Sequence, residues 1–292
     1  MKMLKHKNIV QLYDVIKTEN NLYMIVEYCN QGNLQKYIYN NSQLKEHDLF
    51  NIMFQIMEGF QCLHNNNIVH RDLKLLNVLL NDQSVKIADF GFSKVIETGM
   101  EEPILVSFVG TPLYMSPQVL QQQSYSSKTD IWSLGILYYE ILYKRTPWEG
   151  KNYFDLLQNI LNRPLQFPDQ PFISKNQQQI ITKMLQIKEE DRINWIDLFK
   201  FFEEQNRKYI IEQIQRDFQL ENNENFMKQI VGFFANNTNA IQNLQIVIQM
   251  QQIINKNNER KYSLQEVKQI IENQLQIYFN FSQQQLQFNQ NI

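Results

Sequence analysis

Apolar residues follow a different rhythm in each stretch of this chain. Between Leu44 and Leu63 they recur every three or four positions, at Leu49, Ile52, Met53, Ile56, Phe60 and Leu63, which predicts a long helix with one buried face. Residues 22–28, LYMIVEY, are apolar almost without a break, the mark of a strand buried on both faces. Two shorter runs, Val78 to Leu80 and Val85 to Ala88, flank Asn81-Asp82 and predict a hairpin. From Asp130 to Leu142 the chain is apolar on every side, so a helix there has to lie inside the core. The opening residues, MKMLKHKNIVQL, read as the end of a helix, a polar turn and the start of a strand.

The rhythm changes after residue 202. All seven prolines lie at or before Pro171, and from Glu203 the composition shifts to Gln, Asn and Ile with a single glycine, Gly232. Ile210, Ile211, Ile214 and Phe218 suggest one helix, and Ile241, Leu244 and Ile248 a second. Ser263 and Glu266 have capping-box spacing for a third, with Leu264, Val267, Ile271, Leu275 and Tyr278 on one stripe. The region reads as a small helical bundle or a partner-binding helical tail. The alternative is a Gln/Asn-rich low-complexity segment.

Candidate chemistry is concentrated between Ile68 and Gly91. His70-Arg71-Asp72-Leu73-Lys74-Leu75-Leu76-Asn77 sets a carboxylate, an ammonium and an amide on one short loop. Asp89-Phe90-Gly91 follows the second arm of the hairpin. A hairpin of that length returns Asn77 and Asp89 to one end, where their oxygens could share a hard cation such as Mg2+. Composition narrows the setting. A net charge of −2 over 292 residues offers no basic face for nucleic acid or an anionic membrane. Two cysteines, Cys29 and Cys62, fit a reduced compartment better than a disulfide framework. The first ten residues have no apolar signal core, and no run approaches a membrane span. The expected location is the cytoplasm, with the nucleus as the alternative.

The pair of motifs HRDLKLLN and DFG, in that order and 17 positions apart from Asp72 to Asp89, resembles the catalytic and magnesium loops of eukaryotic protein serine/threonine kinases. The resemblance implies a substrate-proton acceptor at Asp72 and a charge-neutralising Lys74. It implies Mg2+ ligands at Asn77 and Asp89, with ATP as phosphoryl donor and a protein as acceptor. GTPLYMSP resembles the substrate-docking loop, in which Thr111 would bond toward Asp72 and Lys74. Val26 would be the gatekeeper, Glu27 and Cys29 would offer main-chain groups to adenine, and Leu79 would lie beneath the ring. Gly32 stands where the family needs a tight turn. Asp130 would tie down the catalytic loop. Ser107 is either an ordinary loop serine or an activating phosphosite received by Arg71 and Lys94.

The implied fold is α+β: residues 1–29 a remnant of the small lobe and hinge, 30–202 a mostly helical large lobe, and 203–292 a helical tail. Together EYCNQGNL, HRDLK, DFGFSK and GTPLYMSP look most like the autophagy-initiating kinase group, in which a helical C-terminal region binds regulatory partners. There are departures from the family pattern. Gln118 replaces the glutamate expected to pair with Arg192, and an amide holds an arginine less strongly than a carboxylate does. Asn33 replaces an acidic residue that reads basic substrates. The first glycine is Gly32, so no glycine-rich loop precedes the hinge, and Lys2, Lys5 and Lys7 are in the wrong element to replace the strand lysine. Two alternatives to an active enzyme therefore stand beside it: a catalytically impaired kinase-like scaffold, and a truncated regulatory fragment.

Overall fold

The computed structural model describes residues 4–217 apart from 83, 97–98, 102–103 and 105–108, with side chains as far as residue 209. The architecture is α+β. Strands β1 (Leu12–Lys17) and β2 (Leu22–Val26) form one antiparallel pair. Helices α1 (Leu34–Asn40) and α2 (Glu46–Asn65) follow. Strand β3 (Ile68–Val69) pairs with β6 (Lys94–Val95), and between them β4 (Val78–Asn81) and β5 (Ser84–Ile87) make the expected hairpin. The short α3 (Pro117–Leu120) leads into α4 (Lys128–Tyr143), α5 (Tyr153–Asn162), α6 (Lys175–Met184) and α7 (Trp195–Asp217). The first compact unit is Met1–Glu204. Of the second, Gln205–Ile292, only the residues of α7 are described.

The two long periodic stretches form the helices their patterns predict. In α2 the stripe from Leu49 to Leu63 is buried, and the Asp48 carboxylate accepts the Lys45 N–H at its start. In α4 every residue from Thr129 to Tyr143 is buried, because a helix without a polar face can lower its free energy only inside the core. Aromatic rings fill the space around it. Trp132 stacks on Trp148, and Trp195 lies between Phe60 and Phe199. Asp130, also fully buried, accepts from the main-chain N–H groups of His70 at 2.7 Å and Arg71 at 2.9 Å. The loop after β3 is thereby fastened to the core helix.

Three expectations change. The run 22–28 was expected to be buried on both faces, yet β2 is exposed along its whole length, with Leu22 at 63 % and Met24 at 62 % exposure. Its only strand partner among the described residues is β1, so neither face is covered, and a lone two-stranded sheet is marginally stable. Residues 4–6 are not helical. Ile87 takes the carbonyl of Asn8 and receives the N–H of Val10, both at 2.9 Å, which draws that segment out along β5. Ile210, Ile211 and Ile214 are helical as expected, but within α7 rather than in a separate helix of the tail, since no Pro or Gly interrupts 195–217. The helices expected near 241–248 and 263–278, and the position Phe218, lie outside the described residues.

Replacing Asp130 with Asn substitutes an NH2 for one acceptor oxygen and leaves a buried main-chain N–H without a partner. Asp130→Asn should lower stability by about 1–3 kcal/mol in urea unfolding, and an unchanged midpoint would mean that packing alone holds the loop.

Candidate active site

The loop between β3 and β4 is built inward from His70. The imidazole is fully buried, accepts the Asp72 N–H at Nδ1 (3.3 Å), and meets the Ala88 carbonyl at Nε2 (3.0 Å). If Nδ1 accepts, Nε2 must donate. The ring therefore links the loop to the residue before Asp89, and its edge meets Phe90 at a centroid distance of 5.2 Å. Arg71 takes a positive φ of 67°, directing its Nε to the Phe92 carbonyl at 2.6 Å.

Asp72 is buried, and both of its carboxylate oxygens are engaged. Oδ1 accepts from the Thr111 hydroxyl at 2.9 Å. Oδ2 accepts from Lys74 Nζ at 2.8 Å and from Asn77 Nδ2 at 3.0 Å. Lys74 Nζ also donates to Thr111 Oγ1 at 2.8 Å, which closes a triangle of acid, ammonium and hydroxyl. Asn77 spends its Nδ2 on the Asp72 carboxylate and main-chain carbonyl (2.8 Å). Its Oδ1 accepts nothing among the described residues. The Asn77 carbonyl accepts from Ala88 N–H at 2.8 Å, so the hairpin sets Asp89 one residue beyond this pairing. Asp89 is exposed, has φ of 59°, and receives the Gly91 N–H on Oδ1.

Thr111 reaches Asp72 because Gly110 lets the two segments touch. Gly110 has φ of +112°, and a Cβ there would lie 2.6 Å from the Arg71 carbonyl oxygen. Behind Thr111, Gln118 uses both ends of its amide, accepting from Arg192 Nη2 at 3.0 Å and donating to the Ile187 carbonyl at 2.7 Å. A glutamate there could not make the second bond. Burial pulls the Arg192 guanidinium down to about 10, against the opposing pull of Glu189, so it stays charged at neutral pH.

On the opposite side, Val26 is exposed and Leu79 half-buried. Gly32 has the positive φ expected of it, 75°, and the turn it makes binds β4 through Gln31 N–H to Leu80 O and Leu80 N–H to Gly32 O. Lys94 is exposed on β6, opposite Val69 of β3, whose next-but-one residue is Arg71. Ser107 lies outside the described residues.

Two clusters were not foreseen from the sequence. Glu140, buried in α4, accepts from the hydroxyls of Tyr39 and Tyr114, joining α1 to the segment that carries Thr111. Burial pushes the Glu140 carboxyl up, against the pull of those two bonds, and pushes the Tyr39 phenol up to about 12. Glu27, just after β2, and Lys86 of β5 form an ion pair at 2.8 Å. A second acid in an apolar helix and a lone base in a short apolar strand were the available signals.

A family model described as the protein kinase domain matches residues 1–201, and the chain belongs to that family. Serine/threonine-protein kinase atg1 of Dictyostelium discoideum is 40 % identical over 208 residues, covering 68 % of this chain and 30 % of that protein. ATG1b of Arabidopsis thaliana is 35 % identical over 206 residues, covering 68 % and 28 %. ULK1 of Homo sapiens is 33 % identical over 210 residues, covering 68 % and 20 %. The matched region thus spans less than a third of the length of these relatives. They are kinases of the group to which the sequence motifs pointed.

Gly110→Ala combines a left-handed backbone with a steric overlap. It should cost about 1–3 kcal/mol and speed amide exchange at Thr111, and an unchanged exchange rate would mean that the two segments can separate without cost.

Proposed function

We propose that this chain carries the phosphoacceptor side of a protein serine/threonine kinase site, transferring the γ-phosphoryl group of ATP to a Ser or Thr hydroxyl of a protein substrate. The observation that supports it most is the closed arrangement of Asp72, Lys74, Thr111 and Asn77. Phosphoryl transfer asks the protein chiefly for positioning and for compensation of charge. Asp72 is held at both oxygens, yet Oδ1 carries one described bond and keeps a lone pair for an incoming hydroxyl. The hydroxyl proton passes to Asp72 as the new P–O bond forms, and the old bond breaks toward ADP, which leaves with the electron pair. Lys74 stays beside the transferred group, fixed by its bond to Thr111.

The residues fit Mg2+. Asn77 Oδ1 and the exposed Asp89 carboxylate are oxygen donors of the kind a hard cation takes, and these two would hold it. The metal, when bound, neutralises phosphate charge. On the adenine side, the Glu27 N–H is already spent on the Gln11 carbonyl at 2.8 Å. That leaves the Glu27 carbonyl and the Cys29 N–H for the ring edge, with Val26 and Leu79 as apolar walls. Arg71 and Lys94 would receive a phosphate on Ser107. Similarity to atg1-type kinases supports a place in autophagy or related signalling, in the cytoplasm, with a regulatory partner on the region after residue 203. Among the described residues no helix is long and apolar enough to cross a membrane.

The uncovered faces of β1 and β2 favour a second reading, a kinase-like scaffold that binds partners without efficient turnover. Two measurements separate them. Mg-ATP should raise the thermal midpoint of the chain, and Asp72→Asn should lower phosphoryl transfer to a generic protein acceptor by about 10²-fold or more while leaving the fold intact. Equal transfer by both proteins removes Asp72 from its role. If Mg-ATP does not stabilise the parent chain and the parent chain transfers no phosphoryl group, the scaffold reading replaces the enzyme.

A further inference from the structure

Glu27 is the first residue after β2, where the chain leaves the exposed hairpin for the segment facing β4. Its carboxylate gathers three donors from three different segments. Lys86 Nζ meets Oε1 at 2.8 Å, Asn81 Nδ2 meets Oε1 at 3.1 Å, and the Gln11 N–H meets Oε2 at 3.2 Å. Lys86 donates again to the Lys7 carbonyl at 3.0 Å. Both charged side chains are shielded, Lys86 at 11 % and Glu27 at 15 % exposure. Burial pushes the Glu27 carboxyl up, but the bonds from Lys86, Gln11 and Asn81 outweigh it and hold the group below the usual carboxylate range.

Stability alone is a poor reason for such a pair, since apolar residues of similar volume often do as well. Geometry is a better one. Apart from the buried Leu12, the β1–β2 hairpin is exposed, so among the described residues its angle to the β4–β5 hairpin rests largely on polar links. Besides the Gln31–Leu80 and Gly32–Leu80 main-chain bonds and the bond from Asn30 to the Asp82 carboxylate, Lys86 supplies the ion pair, from β5 and three residues before Asp89.

We propose that the Glu27–Lys86 ion pair is a latch that holds segment 27–33 against β5 and so fixes where the Cys29 main chain stands relative to Asp89. Glu27 and Lys86 are then positioning residues for the nucleotide. The consequence for nucleotide rests on the kinase reading above, whereas the latch can be tested without nucleotide.

Cys29 is a built-in reporter: half-buried, two residues from Glu27, its thiol pushed up by burial and by the Glu27 charge and drawn down by Lys86. In a Cys62→Ser background, alkylation by iodoacetamide across pH separates the thiol's ionisation from the limiting rate of the thiolate, which reports access. In Lys86→Met the lost cation makes the thiolate harder to form, yet the limiting rate should rise about fivefold or more as the segment opens. Lys86→Arg should keep the parent rate. Should Lys86→Met not fold, the double variant Glu27→Gln/Lys86→Met, which leaves no lone charge, carries the same comparison. An unchanged or lower limiting rate overturns the latch. A faster limiting rate in the variant, when Mg-ATP neither stabilises the parent chain nor is used by it for transfer, keeps the latch and removes the kinase reading. An unchanged rate, when Mg-ATP does stabilise the parent chain, does the reverse. Where transfer is measurable, Lys86→Met should raise KM for ATP by a larger factor than it lowers kcat.

Discussion

One carboxylate beneath the site holds its geometry. Asp130 lies in a helix buried on every side, and burial pushes its carboxyl up, against the pull of His70 and Arg71. A charge in that position is tolerable only because two main-chain N–H groups of the loop above converge on it. The same two bonds remove the conformational freedom of His70 and Arg71 just before Asp72. From there order spreads outward. His70 carries it to Ala88, Asn77 carries it to the Asp72 carboxylate, and Thr111 arrives last, through a contact that only a glycine permits. A loop held this way is already arranged before a substrate comes, which is the condition under which positioning lowers a barrier.

The two sides of the cleft are built to different standards. The proposed acceptor side stands on α2, α4 and an aromatic layer, and the side chains of Asp72, Lys74, Asn77 and Thr111 are bonded to one another there. The proposed nucleotide side stands on a hairpin exposed but for Leu12, which the described residues join to the rest by main-chain bonds at residues 8–10 and 31–32, by the Asn30–Asp82 bond and by the shielded Glu27–Lys86 pair. Burial therefore declines across the proposed site from Asp72 to Val26. In an enzyme of this class, that places substrate positioning in the core and nucleotide positioning in a few polar contacts.

Helices α2 and α4 were legible because periodicity reports burial directly: a stripe means one covered face, and apolarity all round means none exposed. The hairpin 78–88 was legible because its turn residues and short apolar arms agree. Strand β2 shows where that logic stops. An apolar run states that a segment would be buried if something lay against it, and what lies against it is a tertiary fact. The continuity of α7 past residue 202 was hidden for the opposite reason, since a change in composition looks like a boundary even where no residue breaks the helix.

For the site, local order in the sequence determined the identities: which acid, which amide and which lysine belong to the loop, and that a second acid follows a hairpin. The departure at Gln118 was visible too, but its second bond, to Ile187, was not. Only the folded chain decided the partnerships across distance, Thr111 with Asp72, Glu140 with Tyr39 and Tyr114, and Glu27 with Lys86. Motifs record neighbours along the backbone, whereas the cost of burying a charge is settled by whichever donors the fold brings within about 3 Å of it.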